Sequence, residues 1–266
     1  MYKFIALDVD GTLMTSERTI AESTRKAIQA AREIGVLVCI SSGRPYVGVG
    51  PIAKDLGLKA PMIAYNGGMI VDSTTDQILY ECSVDPDDAR KVIADAHKED
   101  TTLIIWSQDK LYVNRMDERV DSYRQISDVV PHLIEDYEAL IQQGITKILW
   151  IDELDTIVAF REKYRAKYGQ RLNVVRSLPM FLEFVDKGVS KAEAMKKIGE
   201  RHGIRREEMI AIGDGDNDLE MLEYAGLGIA MGNAHEEVKE AADAVTASND
   251  EDGIAKAIQK YILDVQ

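Results

Sequence analysis

The chain has 266 residues, of which 45% are hydrophobic, and carries a formal charge of −14 at pH 7. This length allows one large domain or two modest ones, and the composition is sufficient for a full hydrophobic core. The negative charge argues against nucleic acids and anionic membranes as partners, so an anionic ligand would need a local cation.

The first predicted element is a strand over Phe4 to Leu7, followed at once by Asp8-Val9-Asp10-Gly11-Thr12. Four consecutive hydrophobic residues are typical of a strand buried on both faces of a parallel sheet. Ligands of such sheets collect at the carboxyl ends of the strands, where Asp8 and Asp10 would lie. Two such carboxylates repel each other unless a cation lies between them or one holds a proton. Taken alone, the segment is equally compatible with a catalytic site and with an ordinary polar turn.

A helix over residues 22–34 and a buried strand over residues 36–40 are predicted next, from the spacing of their apolar residues. This strand ends in Ser41-Ser42-Gly43-Arg44-Pro45, and a further helix should follow it as far as Leu56. A small hydroxyl beside a free backbone N–H suits a phosphate oxygen. An ordinary Ser-Gly turn is the alternative interpretation.

The third predicted strand, residues 62–65, ends in Asn66-Gly67. This dipeptide is a strong hairpin signal, and residues 69–71 and 77–82 should form the antiparallel pair that follows.

The composition changes after residue 83. Asp85-Pro86 begins a helix that should reach Lys98. Both tryptophans and three of the four phenylalanines lie between here and residue 186. We therefore predict an inserted α+β domain over residues 84–186, which divides a core domain formed by residues 1–83 and 187–266. Its expected elements are strands 102–106, 111–114, 147–151, 172–176 and 181–185 and helices 118–126 and 155–168.

The α/β alternation resumes at Gly188-Val189-Ser190-Lys191. Ser190 and Glu193 form a capping box, which predicts a helix that runs to Gly203. Lys191 then lies in the first turn, where the helix dipole and the ammonium group together would hold an anion. A solvated surface lysine is the alternative.

The last polar cluster, Gly213-Asp214-Gly215-Asp216-Asn217-Asp218, follows a predicted strand over residues 209–212. A helix from Leu219, a strand over residues 227–230 and a final helix over residues 251–263 complete the chain. In a doubly wound sheet, all these polar strand and helix ends can converge on one edge. Carboxylates suit Mg²⁺, a hydroxyl, an amide and an ammonium group suit phosphate, and an aspartate can form an aspartyl-phosphate.

Together these motifs resemble those of the haloacid dehalogenase superfamily of phosphatases, in its Cof-type branch with an inserted type IIB cap. The resemblance implies a Rossmann-like doubly wound α/β core and an α+β cap that opens and closes over the active site. The matching stretches span almost the whole chain in family order: Asp8-Val-Asp-Gly-Thr-Leu, Ser41-Ser-Gly-Arg-Pro-Tyr, Tyr65-Asn-Gly, Gly188-Val-Ser-Lys, Gly213-Asp-Gly-Asp-Asn-Asp and Glu251-Asp-Gly-Ile-Ala.

The resemblance also implies the catalytic and metal-binding roles. Asp8 would attack phosphorus and bind Mg²⁺. Asp10 would bind Mg²⁺ through its carbonyl, while its side chain protonates the leaving alcohol and then deprotonates the hydrolytic water. Asp214 would be the third protein ligand of the metal, and Asp218 would support the metal site.

The phosphate contacts are implied in the same way. The backbone of Val9, the Ser42 hydroxyl, the Gly43 amide, Lys191 and Asn217 would bind the phosphoryl group. Close relatives often have threonine in place of Ser42, which keeps the hydroxyl. Two further residues are candidates for substrate or cap contacts: Arg44 and Asn66.

The resulting hypothesis is a Mg²⁺-dependent phosphatase of small phosphorylated metabolites, sugar phosphates foremost, acting as a monomer or small homo-oligomer. Asp10 favours a phosphatase over a dehalogenase because an alcohol leaving group needs a proton. A phosphomutase and a non-catalytic phosphate-binding regulator are the alternatives.

The remaining sequence features predict a soluble cytoplasmic protein. Cys39 and Cys82 lie far apart and do not indicate a disulfide framework. Charges at Lys3 and Asp8 interrupt any signal-peptide core. The longest apolar stretches, such as residues 60–71, are shorter than the ~18 residues that a membrane span needs.

Overall fold

The computed structural model describes residues 1–127 and 129–264, with the exception of the side chain of Ile126. Residues 128, 265 and 266 belong to the predicted domains but lie outside the described residues. The chain divides into two compact units: residues 1–80 together with the segment from Ser190 onward, and Glu81–Val189. Over the described ranges, every helix is too short or too polar to span a membrane.

The N-terminal part of the first unit alternates strands and helices. Its elements are β1 (Phe4–Leu7), α1 (Glu22–Glu33), β2 (Leu37–Ile40), α2 (Tyr46–Asp55), β3 (Met62–Ala64), β4 (Met69–Val71) and β5 (Ile78–Glu81).

The inserted unit carries ten elements among its described residues. They are α3 (Pro86–Lys98), β6 (Thr102–Ser107), β7 (Lys110–Val113), α4 (Glu118–Ser127), β8 (His132–Leu133), α5 (Tyr137–Gln143), β9 (Lys147–Ile151), α6 (Leu154–Tyr168), β10 (Leu172–Val175) and β11 (Phe181–Asp186).

The C-terminal part returns to the first unit. Its elements are α7 (Lys191–His202), β12 (Met209–Gly213), α8 (Leu219–Tyr224), β13 (Leu227–Ala230), α9 (Glu236–Ala241), β14 (Ala244–Val245) and α10 (Gly253–Ile258).

The core of the first unit is a parallel five-stranded sheet in the order β14-β13-β12-β1-β2. The interior strand β1 is completely buried, as its unbroken hydrophobic sequence predicts. One face packs against the apolar side of α7, whose buried residues join those of the strands in one cluster, including Phe4, Ala6, Cys39, Ala194, Met195, Ile198 and Ala211. This arrangement confirms the predicted α/β fold with a parallel sheet.

The Asn66-Gly67 turn joins β3 and β4 as the antiparallel hairpin that the dipeptide predicts, with Ile63 opposite Ile70. These strands form a separate three-stranded sheet, in the order β3-β4-β5. A single parallel bridge between Ser41 and Ile63 connects it to the end of β2. The hairpin therefore lies beside the carboxyl edge of the main sheet.

The inserted unit has a six-stranded sheet in the order β10-β11-β9-β6-β7-β8. The pairs are antiparallel except β7 with β8. Trp150 packs edge-on against Phe160 and Tyr164 of α6, with ring centroids 5.7 and 4.7 Å away. Its buried cluster confirms that these aromatic residues form a core, in which each buried large side chain contributes roughly 1.5–3 kcal/mol.

The short elements β8, α5, α9 and β14 were not predicted, because two to seven residues carry too little periodicity to detect. The final helix was predicted to begin at about Glu251, and the regular helix begins two residues later. Glu251 closes a short turn, and Asp252 has a left-handed backbone (φ 61°), so that regular helix begins only at Gly253.

Candidate active site

Asp8 continues the line of β1 into the carboxyl edge of the sheet. Its backbone N–H donates to the Ile212 carbonyl over 3.0 Å, one step beyond the last residue of the strand. The chain then turns back, with the Met14 N–H donating to the Val9 carbonyl over 2.9 Å. The side chain of Asp8 is only 6% exposed, so its carboxylate is held in a largely water-free position.

Lys191 lies directly against this carboxylate. Ser190 caps α7 by accepting a hydrogen bond from the Glu193 N–H over 3.2 Å, as the capping box predicts. The Lys191 ammonium donates to Asp8 Oδ1 over 2.6 Å and to Asp218 Oδ1 over 2.5 Å. Because Lys191 is 1% exposed, it is not a solvated surface lysine.

The loop after β12 orients the other two carboxylates. Both the Asp214 and the Gly215 N–H donate to Asp218 Oδ2, over 3.0 and 2.9 Å. Asp218 therefore has both oxygens engaged, one by Lys191 and one by the backbone. Asp214 Oδ1 accepts a hydrogen bond from the Thr12 hydroxyl over 2.6 Å.

The three aspartates Asp8, Asp214 and Asp218 form a cluster that fits a hard cation. Each offers one carboxylate oxygen, and these oxygens lie within 4.8 Å of one another. Among the described residues, Lys191 is the one cation that contacts the cluster, and it does not reach Asp214. The cluster therefore has three carboxylates and one positive charge, which leaves an excess of negative charge for a cation. Its ligands are all oxygen atoms, which Mg²⁺ prefers.

The pKa values of Asp8, Asp214 and Lys191 are shifted by burial and by the excess of negative charge in the cluster. Burial, reinforced by the carboxylates of Asp218 and Asp214, raises the pKa of Asp8 to about 7 despite the lowering effect of Lys191. Burial also raises the pKa of Asp214. Burial opposes the charge of Lys191, but the neighbouring carboxylates outweigh it and raise the pKa of the ammonium group. A divalent cation would relieve this repulsion.

The side chain of Asp10 lies apart from the cluster and is 60% exposed. The Arg44 guanidinium binds the Asp10 carboxylate in a bidentate manner. Nε donates to Oδ2 over 2.7 Å, and Nη2 donates to Oδ1. The structure thus places Arg44 against the predicted acid/base residue.

The predicted phosphate donors lie on neighbouring turns. Ser42 is buried, and its hydroxyl accepts a hydrogen bond from the Arg44 N–H over 3.1 Å. The Asn217 amide donates to Asn66 Oδ1 over 2.9 Å. A Cβ on Gly43 would lie 2.9 Å from Asn66 Oδ1, so a larger residue there would displace the Asn66 side chain. Ser42, Gly43, Asn66 and Asn217 are therefore brought together, while the Val9 side chain is buried in the core.

Sequence reasoning missed the residues that hold the loop after β1. Gly11 has φ +82°, and a Cβ there would lie 2.2 Å from Asp214 Oδ2. The Asn233 amide donates to the Gly11 carbonyl over 2.8 Å, and the Asn249 amide donates to the Met14 carbonyl over 2.8 Å. Asn233 follows the end of β13, a position that could have identified it, whereas Asn249 carries no comparable signal.

Known proteins share this architecture along almost the whole chain. The family model for haloacid dehalogenase-like hydrolases matches residues 5–258. Two Bacillus subtilis relatives are the 5-amino-6-(5-phospho-D-ribitylamino)uracil phosphatases YcsE and YitU. YcsE is 35% identical over 98% of this chain and 96% of its own, and YitU is 33% identical over 97% and 96%. The solved structure of the HAD subclass IIB sugar phosphatase BT4131 has a TM-score of 0.83 at 28% identity and covers 97% of this chain and 98% of its own.

Proposed function

Because this chain belongs to the haloacid dehalogenase-like hydrolases and is one of their Cof-type phosphatases, we propose that it hydrolyses small phosphorylated metabolites, sugar phosphates foremost, with Mg²⁺ as cofactor and Asp8 as nucleophile. The names of its relatives support a phosphate ester on a polyol chain or a sugar as the substrate class. A cytoplasmic location and a monomeric or small homo-oligomeric state stay predictions from the sequence.

The observation that carries the proposal is the unequal use of the carboxylate oxygens in the cluster. Lys191 engages one oxygen of Asp8, and Thr12 engages one oxygen of Asp214. The second oxygens of Asp8 and Asp214 accept no hydrogen bond from the described residues, whereas both oxygens of Asp218 are engaged. This favours Asp8 and Asp214 as Mg²⁺ ligands, with the Asp10 carbonyl, and Asp218 as their support.

Bound Mg²⁺ would neutralise charge on the phosphoryl group. The chain's own residues supply the remaining chemistry. One carboxylate oxygen of Asp8 attacks phosphorus and the bond to the ester oxygen breaks, while Asp10 gives its proton to the departing alkoxide. Lys191 and the donors of Ser42, Gly43 and Asn217 hold the phosphoryl oxygens.

Asp10 then acts as a base. It takes a proton from a water molecule, whose oxygen attacks phosphorus, and the electron pair of the phosphorus–Asp8 bond returns to the carboxylate. For both steps the Asp10 side chain has to leave Arg44. An exposed ion pair of this kind contributes about 1 kcal/mol or less, so breaking the contact between Asp10 and Arg44 costs little free energy.

The test is phosphate release from a panel of phosphorylated sugars, polyols and other metabolites, with Mg²⁺ and with a chelator. We expect metal-dependent release by the wild-type protein and none by Asp8→Asn, which keeps the volume of the nucleophile but removes its charge. Asp216→Asn is the matched control, because Asp216 lies in the same acidic motif as Asp214 but is exposed.

Three results would contradict the proposal. Turnover by Asp8→Asn above a few per cent of the wild-type rate would exclude Asp8 as nucleophile. Release that requires an added sugar bisphosphate would indicate a phosphomutase, and no release from any ester by a folded, Mg²⁺-loaded sample would indicate a phosphate-binding regulator.

A further inference from the structure

The hydroxyl of Ser41 is completely buried and has no hydrogen-bond partner among the described residues. A buried polar group in this state has lost its water without replacement. Such groups are rare in native proteins and call for an explanation, and a catalytic role is one of the explanations known for them. The hydroxyl of the next residue, Ser42, accepts a hydrogen bond from the Arg44 N–H, so the unsatisfied hydroxyl is confined to Ser41.

Ser41 lies next to the nucleophile. The Ser41 N–H donates to the Leu7 carbonyl over 2.8 Å, which continues the parallel ladder of β1 and β2. Phe4 pairs with Leu37 and Ala6 with Cys39, and these pairs lie on the sheet face that α7 covers. Since side chains alternate along a strand, the next pair on that face is Asp8 with Ser41.

The opposite flank of Asp8 is arranged differently. The corresponding residue of β12 is Gly213, where a Cβ would lie 2.5 Å from the Asp218 carboxyl carbon. The missing side chain therefore makes room for Asp218, which shares Lys191 with Asp8. Asp8 thus has a carboxylate and an ammonium group on one side and an unused hydroxyl on the other. Neighbouring strands are ~4.8 Å apart, so the backbones of Ser41 and Asp8 are separated by about this distance, and rotation about χ1 changes the direction of the serine hydroxyl.

We propose that Ser41 is a positioning residue for Asp8, whose hydroxyl donates a hydrogen bond to the Asp8 carboxylate when the phosphoryl group draws Lys191 away from it. The inference rests on the proposed function, because it requires Asp8 to carry the phosphoryl group.

The hydrogen bond acts mainly in the second step of the reaction. When water attacks the aspartyl-phosphate, the bond between phosphorus and Asp8 breaks and its electron pair passes to the carboxylate. The proton of the water passes to Asp10, and inorganic phosphate leaves. A donor aimed at the carboxylate stabilises the charge that develops there. Without it, hydrolysis of the intermediate slows more than its formation does.

The test is Ser41→Ala, with Ser73→Ala as a matched control. Ser73 is also buried in the first unit, but its hydroxyl donates to the Leu58 carbonyl over 3.1 Å. We expect Ser41→Ala to keep or raise the melting temperature, because it removes an unsatisfied group. Its kcat should fall by about 10- to 100-fold and its KM should fall with it, so that kcat/KM changes much less than kcat, and acid-quenched samples should hold more aspartyl-phosphate than the wild type. Ser73→Ala should lower the melting temperature and leave kcat unchanged.

The outcomes separate this inference from the proposed function. A wild-type kcat in Ser41→Ala would overturn the inference alone, and so would a lower kcat without extra aspartyl-phosphate. A melting temperature reduced as in Ser73→Ala would show that Ser41 has a structural partner, which also overturns it. If the wild-type protein itself forms no aspartyl-phosphate, the proposed function fails first.

Discussion

Replacement of Lys191 by methionine would leave the three clustered aspartates without their cation. Lys191 contributes both a buried charge and hydrogen bonds of 2.6 and 2.5 Å to two carboxylates. Methionine fills a similar volume with an apolar side chain, so the change is largely electrostatic.

The expected cost follows from the burial of the group. Removing one partner from a buried ion pair costs about 3–5 kcal/mol. In a unit of this size that corresponds to a fall in melting temperature of about 6–20 °C. Phosphate release should fall at least about 100-fold, because the same ammonium group neutralises the nucleophile and the phosphoryl oxygens.

The loss of folding stability caused by Lys191→Met should increase with pH. The pKa of Asp8 in the folded protein, about 7, already exceeds the ordinary aspartate value of 3.8. A raised carboxyl pKa favours folding at low pH, and this contribution is lost as the pH rises through the folded value. Loss of Lys191 raises the folded value further. Asp8 of the variant is then protonated at about pH 5.5, and the destabilisation is larger at about pH 8.5.

Thermal and urea denaturation at both pH values, in the presence of a chelator, measure this effect. Lys3→Met is the control: Lys3 binds Glu208 over 2.6 Å in the same unit but is 56% exposed, so its loss should cost no more than about 1 kcal/mol. If the two variants were equally stable at both pH values, the electrostatic argument would be refuted.

Three further perturbations address other parts of the site. Mg²⁺ should raise the melting temperature of the wild-type protein but not of Asp214→Asn, and equal shifts in a thermal titration would place the cation elsewhere. Gly67→Ala should cost more than about 3 kcal/mol in urea denaturation, because φ is +103° and the new Cβ would lie 2.1 Å from a carbonyl oxygen. Gly35→Ala, with φ +90° and open space, should cost only about 1–2 kcal/mol, and equal losses would exclude the steric effect. Asn233→Ala should lower kcat about tenfold with little change in KM, since it releases the Gly11 carbonyl; an unchanged kcat would mean that the loop holds without it.

The sequence predicted the main elements of the site because strand ends carry strong local signals. The hydrophobic run before Asp8 and the capping box before Lys191 each determine where one side chain lies, and parallel topology brings them together. The burial of Lys191 was not predictable in this way. It depends on the position of α7 across the sheet, which no local pattern encodes.

The contacts that were missed are long-range or conformational. The hydrogen bond from Asn249 to the Met14 carbonyl joins residues 235 positions apart in a loop without periodicity. The ion pair between Arg44 and Asp10 depends on the rotamers of one half-buried and one exposed side chain. The unsatisfied hydroxyl of Ser41 is a property of the packed core, and a serine next to a serine gives no sign of it.

The position of β1 between β2 and β12 has a consequence for the order of folding. Phe4 pairs on one side with Leu37 and on the other with Met209, so one edge of β1 meets its partner only after most of the chain has left the ribosome. Until then, β1 exposes a hydrophobic, unpaired edge, the kind of surface that promotes aggregation. The inserted unit is contiguous in sequence and can complete its own contacts earlier. We therefore expect the catalytic cluster to form late and slowly, because pairing over such a sequence distance requires costly loop closure.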